Sequence, residues 1–237
     1  MIVTLTLNPG LDLTYTLTEA VGAVDVHRAA AATIEASGKG VNVSRALHAN
    51  GIPTIAVLPL GGATGHHLSE LLDAEGVTHR GVPHDAATRI NTTLTVPGAD
   101  TAKVNGPGGE LTRTDLEALE KQVTAALAVA PRDAEVWLAI CGSLPPGVHP
   151  AVVGEFVALA HASGARCAID SSGEALSGAI SAGADLLAPN RLELAAVDPR
   201  ARSARSREEL AAVAAAIART TGAALLVSLG EDGALYT

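Results

Sequence analysis

VWLAICGSLPPGVHPAVVGEFVALAHASGARCAI, residues 136–169, decides the fold. Residues 136–141 form an apolar, β-rich run, 150–163 carry apolar residues at helical spacing, and 166–169 return to a short apolar run. A strand, a helical crossover and a second strand make a parallel pair, because parallel neighbours need a connection of this length. The same rhythm extends to both ends of the chain. Strand-like runs occupy 2–7, 54–60, 185–187 and 223–229, and stretches of helical period occupy 65–75, 114–130 and 207–220. Alternation of this kind predicts an α/β protein with a mostly parallel, doubly wound sheet covered by helices on both faces.

Two segments, 13–17 and 91–96, break the rhythm with the two-residue period of a strand that has one wet face. They predict a small separate sheet. Ligands of doubly wound proteins lie beyond the carboxyl ends of the strands, so such a sheet would form a lid there. The expectation is one domain over 1–237, with lid segments about 11–35 and 88–106.

Composition narrows the function. With 237 residues and 48% hydrophobic content the chain can bury a sizeable core, which excludes disorder. No apolar run approaches the ~18 residues of a membrane helix, and residues 1–7 lack the basic lead-in of a signal peptide, so no membrane partner and a cytoplasmic location are expected. A net charge of -9, without aromatic and basic residues interleaved, argues against nucleic acid. Cys141 and Cys167 end apolar runs and read as core residues rather than a disulfide framework.

An anionic ligand must therefore be met by local donors. Ser37-Gly38-Lys39-Gly40-Val41-Asn42-Val43-Ser44-Arg45-Ala46-Leu47 supplies them, since glycines flank a lysine where a loop turns into a helix. Glycines allow backbone N–H groups close to an anion, a helix N-terminus adds partial positive charge, and the lysine adds a full one. Lys39 is one of three lysines against thirteen arginines. The spacing fits neither a Walker A loop nor a dinucleotide fingerprint, where Val43 would have to be glycine. Spacing alone also fits a glycine-rich turn that starts an ordinary helix.

Five polar clusters follow predicted strands: 8–12, 142–147, 170–174, 189–193 and 228–233. On one sheet edge they would line a crevice for a long substrate. Each has a plainer reading. Asp12 suits a turn-capping role as well as a ligand role, Asn190 with Glu193 has the spacing of a capping box, and Asp170 precedes two serines as a helix N-cap would. Arg89 alone reads as a solvated residue. Neighbouring His66 and His67 point apart on a helix and read as surface residues.

Together these motifs closely resemble the PfkB, or ribokinase-like, sugar kinases over essentially the whole chain. Within them they are most similar to the phosphosugar branch of 1-phosphofructokinase, tagatose-6-phosphate kinase and the minor 6-phosphofructokinase. Residues 61–65, 142–147 and 170–176 look like that branch's signature blocks, and 101–108 looks like its 1-phosphofructokinase and tagatose-phosphate side. The resemblance implies a ribokinase-like fold and transfer of the ATP γ-phosphoryl group to fructose 1-phosphate. Tagatose-6-phosphate kinase or 6-phosphofructokinase is the alternative.

By the same resemblance Asp12 would hydrogen-bond sugar hydroxyls, Gly38, Lys39 and Asn42 would hold the phosphosugar, and Arg89 with Asn91 would reach its phosphate, with Ser143 nearby. Asn190 and Glu193 would order Mg²⁺ through water and orient ATP, and Ser228, Gly230 and Gly233 would form the nucleotide-binding turn. A homodimer through the lid is also implied. The family's proton-removing aspartate lies in a Gly-Ala-Gly-Asp segment expected beyond Thr237, so no catalytic residue is assigned among residues 1–237, and the C-terminal part of the fold is expected to be missing. Ala188 stands where the branch commonly has lysine. Loss of a general base typically costs ~10² to 10⁴ in rate, so a second expectation is a catalytically impaired sugar-phosphate-binding fragment or pseudokinase. Apolar surface normally covered by that segment would also be exposed.

Overall fold

The central strand of the computed structural model is β1 (Ile2–Leu5), hydrogen-bonded in parallel to β4 (Thr54–Gly61) on one side and to β8 (Trp137–Cys141) on the other. The described residues are 1–19, 26–96, 98, 101–131 and 133–237. Among them the main sheet continues outward from β4 to β5 (His79–His84). From β8 it continues through β9 (Arg166–Asp170), β10 (Leu186–Leu187), β11 (Ala224–Ser228) and β12 (Ala234–Tyr236). Its order is β12-β11-β10-β9-β8-β1-β4-β5, and every pairing is parallel except that of β11 with β12. Parallel pairing sends the carboxyl ends of the strands to one edge, where ligands of such sheets bind.

The helices are α1 (Lys39–Ala49), α2 (Gly62–Ala74), α3 (Arg113–Leu127), α4 (Ala151–Ala162), α5 (Gly173–Ser181), α6 (Arg191–Val197), α7 (Arg200–Ser203) and α8 (Arg207–Thr221). Strand periodicity sorts them by face. In β4, Ile55 and Val57 join the core built with α3 to α8, whereas Ala56 and Leu58 join a smaller core with Val41 of α1 and Leu68 and Leu72 of α2. Buried hydroxyls stitch the second face together, Thr4 Oγ1 lying 2.8 Å from Ser44 Oγ and that atom 2.8 Å from Thr54 Oγ1.

The expected doubly wound architecture is therefore present. Both faces are covered around β1 and β4, whereas among the described residues the second face of β9 to β11 is not, and Leu226 there is 40% exposed, which agrees with the expectation of exposed apolar surface. The first strand also ends at Leu5 rather than at residue 7, because Thr6 to Pro9 turn away toward the crevice. Cys141 and Cys167 are buried free thiols, each pushed up to about 12 chiefly by loss of solvent.

A second sheet holds β2 (Gly10–Thr16), β3 (Ala31–Ser37), β6 (Arg89–Thr95) and β7 (Ala102–Asn105) in the order β3-β2-β6-β7. This is the small sheet that segments 13–17 and 91–96 predicted. Of the expected lid segments, residues 20–25, 97 and 99–100 lie outside the described residues. Register gives the sheet two unlike faces. Asp12, Thr14 and Thr16 pair with Asn91, Thr93 and Thr95 on one, while Leu11, Leu13 and Tyr15 pair with Ile90, Thr92 and Leu94 on the other. Leu11 and Ala36 anchor the apolar face to the body, but Ile34, Ile90 and Val104 are 46%, 43% and 68% exposed.

At the opposite edge, Asp185 ties β9 to β10 from outside. Its carboxylate accepts the Cys167 N–H at 2.8 Å and lies 2.9 Å from His161 Nε2. Burial alone would push this carboxyl up, but the hydrogen bonds from Cys167 and His161 and the charges of His161 and Arg166 hold it below the ordinary 3.8. A depressed carboxylate stabilises the fold above its unfolded-state pKa, and that contribution is lost as pH falls through the folded value. Replacing Asp185 by Asn keeps an acceptor for the Cys167 N–H but removes the charge that this N–H, His161 and Arg166 complement, and should cost about 1–3 kcal/mol in urea unfolding near neutral pH. The gap from wild type should narrow in acid below ~3.9, the usual aspartate pKa; a gap independent of pH would contradict this account.

Candidate active site

The crevice begins where α1 meets the end of β1. Gly38 adopts φ 127, and a Cβ there would sit 2.8 Å from Thr6 Cγ2. Helix α1 starts at Lys39 with no side-chain cap, so its first N–H groups stay available beside a lysine. Across the edge, Lys39 Nζ donates to Asp170 Oδ1 at 2.8 Å. Partial burial opposes the charge on Lys39, but the hydrogen bond and charge of Asp170, aided by Glu193, raise its pKa above 10.5, so it is cationic at neutral pH. Asp170 ends β9 and is not a helix cap as its sequence suggested; Ser172 precedes α5 instead, without a side-chain bond. The reason is position: the carboxylate leaves the strand end facing the only cation that α1 brings to this edge.

A cavity of about 290 Å³ opens here, lined by Asn8, Lys39, Arg89, Gly142, Ser143, Ser171, Ser172 and Glu193. It unites four expected residues, Lys39, Arg89, Ser143 and Glu193, from four separate parts of the chain. Arg89 enters from the small sheet, opposite Gly10, with Nη1 donating to Gly106 O at 3.1 Å. Its burial lowers its pKa below the ordinary guanidinium value, against the opposing charge of Asp12, and the side chain stays protonated at neutral pH. Two residues further along both strands, Asn91 Nδ2 donates to Asp12 Oδ1 at 2.8 Å, while Asn91 Oδ1 is buried without a partner among the described residues. Gly38 supports the lysine from behind. Asn42 is exposed in the first turn of α1 and, like Asp12 and Asn91, is not among the lining residues.

A second cavity of about 580 Å³ is lined by Asn190, Arg191, Arg205, Arg207, Ser228 and Gly230 with their neighbours. The start of α6 separates the two. Asn190 Oδ1 accepts the N–H groups of Leu192 and Glu193 at 2.9 Å each, and Glu193 Oε2 accepts the Asn190 N–H at 2.8 Å. That is the capping box expected from the spacing. It turns Glu193 toward the smaller cavity and Asn190 toward the larger one. The Asn190 strand end also pairs with Ser228 through an isolated bridge. Gly230 and Gly233 shape the turn after β11, with φ 62 and 84, and Gly233 O accepts the Leu229 N–H at 2.8 Å; Gly233 does not line the cavity.

Asn8, Gly142, Ser171 and Ser172 also line the smaller cavity, although sequence reasoning assigned them no role. They sat in the quoted polar clusters, which was the available signal. The pairing of Lys39 with Asp170 spans 131 residues and had none.

Two adjoining cavities at the carboxyl edge of a parallel sheet, one with lysine and arginine and one with a capped helix start and a glycine turn, define a phosphotransferase-type crevice. The family profile described as pfkB family carbohydrate kinase matches residues 6–237, and the chain belongs to that family. It is 36% identical to the ATP-dependent 6-phosphofructokinase isozyme 2 of Escherichia coli K12 over 237 residues, covering 99% of this chain and 74% of that protein. The 1-phosphofructokinase of Rhodobacter capsulatus is 34% identical, with 99% and 72% covered. Among solved structures, phosphofructokinase-2 from Escherichia coli in complex with fructose-6-phosphate superposes with TM-score 0.89 at 34% identity, covering all of this chain and 76% of that one. The ribokinase-like fold and the kinase class read from the sequence both stand. Among the described residues no helix is long and apolar enough to cross a membrane.

Lys39 and Asp170 are both partly exposed, so their ion pair contributes little to stability. Lys39→Met should change the unfolding free energy by less than ~1 kcal/mol. It should nonetheless weaken binding of inorganic pyrophosphate roughly tenfold, the effect of one charge-assisted contact. Calorimetric titration of both proteins checks this, and equal affinities would remove Lys39 from the anion site.

Proposed function

We propose that this protein uses ATP to phosphorylate fructose 1-phosphate at its free primary hydroxyl, giving fructose 1,6-bisphosphate and ADP. The observation that carries the reading is the cavity holding Lys39, Arg89 and Ser143 together, beside a second cavity at Asn190, Ser228 and Gly230. The acceptor's phosphate takes the first set, for which a guanidinium offers bidentate geometry and a lysine a point charge. Asp12 and Asn91 on the polar face of the small sheet take sugar hydroxyls, with Gly38 and Asn42 shaping the floor. The nucleotide lies along Asn190 and the Ser228-Gly230-Gly233 turn, so its terminal phosphate points across the start of α6. The bond from the γ-phosphorus to the bridging oxygen breaks, the hydroxyl oxygen of the acceptor bonds to phosphorus, and the hydroxyl proton is released to solvent water, no base being assigned among residues 1–237.

Magnesium fits this donor set. Among the described residues no group of three or more His, Cys, Asp or Glu side chains is arranged to hold a metal. Mg²⁺ needs no such cage, because it keeps waters and binds through one or two carboxylates plus substrate phosphates. Glu193 would hold it through water, and the ion would neutralise charge on the phosphates. The small sheet acts as the lid. Its exposed apolar residues Ile34, Ile90 and Val104 would be covered by the same face of a second copy, giving a homodimer in the cytoplasm.

Turnover and calorimetric affinity for fructose 1-phosphate, fructose 6-phosphate and tagatose 6-phosphate test the substrate. The 36% identity to a 6-phosphofructokinase favours the second sugar as the competing reading. Fructose 1-phosphate is expected to give the highest kcat/KM and the lowest Kd, and preference for either 6-phosphate would reassign the protein. Arg89→Ala should weaken the preferred phosphosugar by about 10². Unchanged affinity would place the phosphate elsewhere.

A further inference from the structure

Arg89 belongs to a second, smaller group of residues that the reaction does not account for. A cavity of about 10 Å³ lies behind it, lined by Leu7, Pro9, Pro59, His84, Arg89 and Leu111 with their neighbours. Its size is that of one water site. Two of its lining residues carry buried nitrogens with no hydrogen-bond partner among the described residues, Nε of Arg89 and Nδ1 of His84. Buried polar atoms are rarely left unpaired, and the two residues that carry these come from different elements to line the same small space. Leu7, Pro9, Pro59 and Leu111 otherwise make that space apolar.

The surroundings are built to hold the imidazole there. His84 is the last residue of β5, and its ring lies against two glycines. A Cβ on Gly61 would come within 2.8 Å of His84 Nε2 and a Cβ on Gly109 within 3.1 Å of His84 Cε1. The backbone leading to Arg89 is also fixed. Thr88 donates its N–H to Gly61 O at 2.9 Å, accepts the Gly61 N–H on Oγ1 at 3.1 Å, and accepts the Thr64 hydroxyl on its carbonyl at 2.7 Å.

We infer that one buried water bridges Arg89 Nε and His84 Nδ1, making His84 a positioning residue for the arginine of the phosphate site. The water accepts from Arg89 Nε–H and donates to His84 Nδ1, which places the imidazole proton on Nε2. The guanidinium is then held on two sides, by Gly106 O at Nη1 and by the water at Nε, and Nη2 is left unclaimed in a residue that also lines the cavity shared with Lys39 and Ser143. A guanidinium fixed before the ligand arrives loses less rotamer freedom on binding. An arginine held on one side only would sample several orientations.

This inference rests on the reading of Arg89 as a phosphate ligand, and the experiment separates the two. Fructose 1-phosphate and ADP are titrated calorimetrically into wild type, His84→Leu, His84→Gln and Arg89→Ala. His84→Leu should weaken fructose 1-phosphate about tenfold, the effect of orphaning one buried donor, with ADP affinity unchanged. His84→Gln, which keeps an acceptor, should recover most of that loss. If Arg89→Ala weakens the sugar phosphate and His84→Leu does not, the bridge is wrong and the phosphate site stands. Equal loss of both ligands in His84→Leu, or no recovery in His84→Gln, makes His84 merely structural and overturns it. If Arg89→Ala binds fructose 1-phosphate as wild type does, the phosphate-site reading fails and the bridge falls with it. Should His84→Leu not fold, a crystal structure of the wild-type chain decides: an ordered water within reach of both nitrogens supports the bridge, and a dry cavity rejects it.

Discussion

The close approach of α1 to the end of β1 is the constraint on which the site depends. Gly40 has Thr6 Oγ1 within 2.4 Å of where a Cβ would stand and Leu5 O within 3.2 Å, and Gly38 has Thr6 Cγ2 at 2.8 Å. Any side chain at either position would lift the helix off the strand. With both glycines, the N-terminus of α1 sits at the middle of the sheet edge, and the residue between them reaches the carboxylate at the end of β9. Polar groups gather there because every neighbouring parallel strand ends on the same side. Lys39 is therefore placed by its neighbours' lack of side chains more than by any contact of its own.

Local signals explain what could be read in the sequence. Strand and helix alternation from 136 to 169 reports burial period and needs no knowledge of distant residues, so the α/β class and the main elements were legible. The capping box of Asn190 and Glu193 was legible for the same reason, since it closes within three residues. Strands β3, β5 and β7 were not, because their pairing is set by partners far along the chain and their composition is unremarkable. Asp170 shows the limit most clearly: its serine neighbours favour a cap, but the strand runs through Asp170, the helix starts only after Ser172, and the lysine 2.8 Å from the carboxylate comes from a distant part of the chain that no local signal reports.

The small sheet shows how one strand register can set two properties. Successive residues of β2 alternate between Asp12, Thr14 and Thr16 on one face and Leu11, Leu13 and Tyr15 on the other, and β6 follows in step. A slip of one residue in either strand would exchange the faces and bury Asp12 and Asn91 where Leu11 packs. The hydrogen bond between those two side chains, made across the register pair, opposes such a slip. Chemistry on the polar face and exposed apolar residues on the other are therefore not independent features.

The start of α6 joins the two cavities by a similar economy. A capping box satisfies helix N–H groups, and in doing so it fixes the rotamers of both its side chains. Asn190 then borders the larger cavity and Glu193 the smaller one, with the uncapped remainder of the helix dipole directed between them. A group transferred from one cavity to the other must pass this point, and the carboxylate that faces it carries a charge opposite to Lys39. Under the proposed function a passing phosphoryl group would meet cationic contact from Lys39 and Arg89, and Glu193 would be neutralised by a cation that travels with the donor. Under the proposed function an uncompensated carboxylate at Glu193 would repel a phosphoryl group, and a divalent ion held there through water would remove that repulsion.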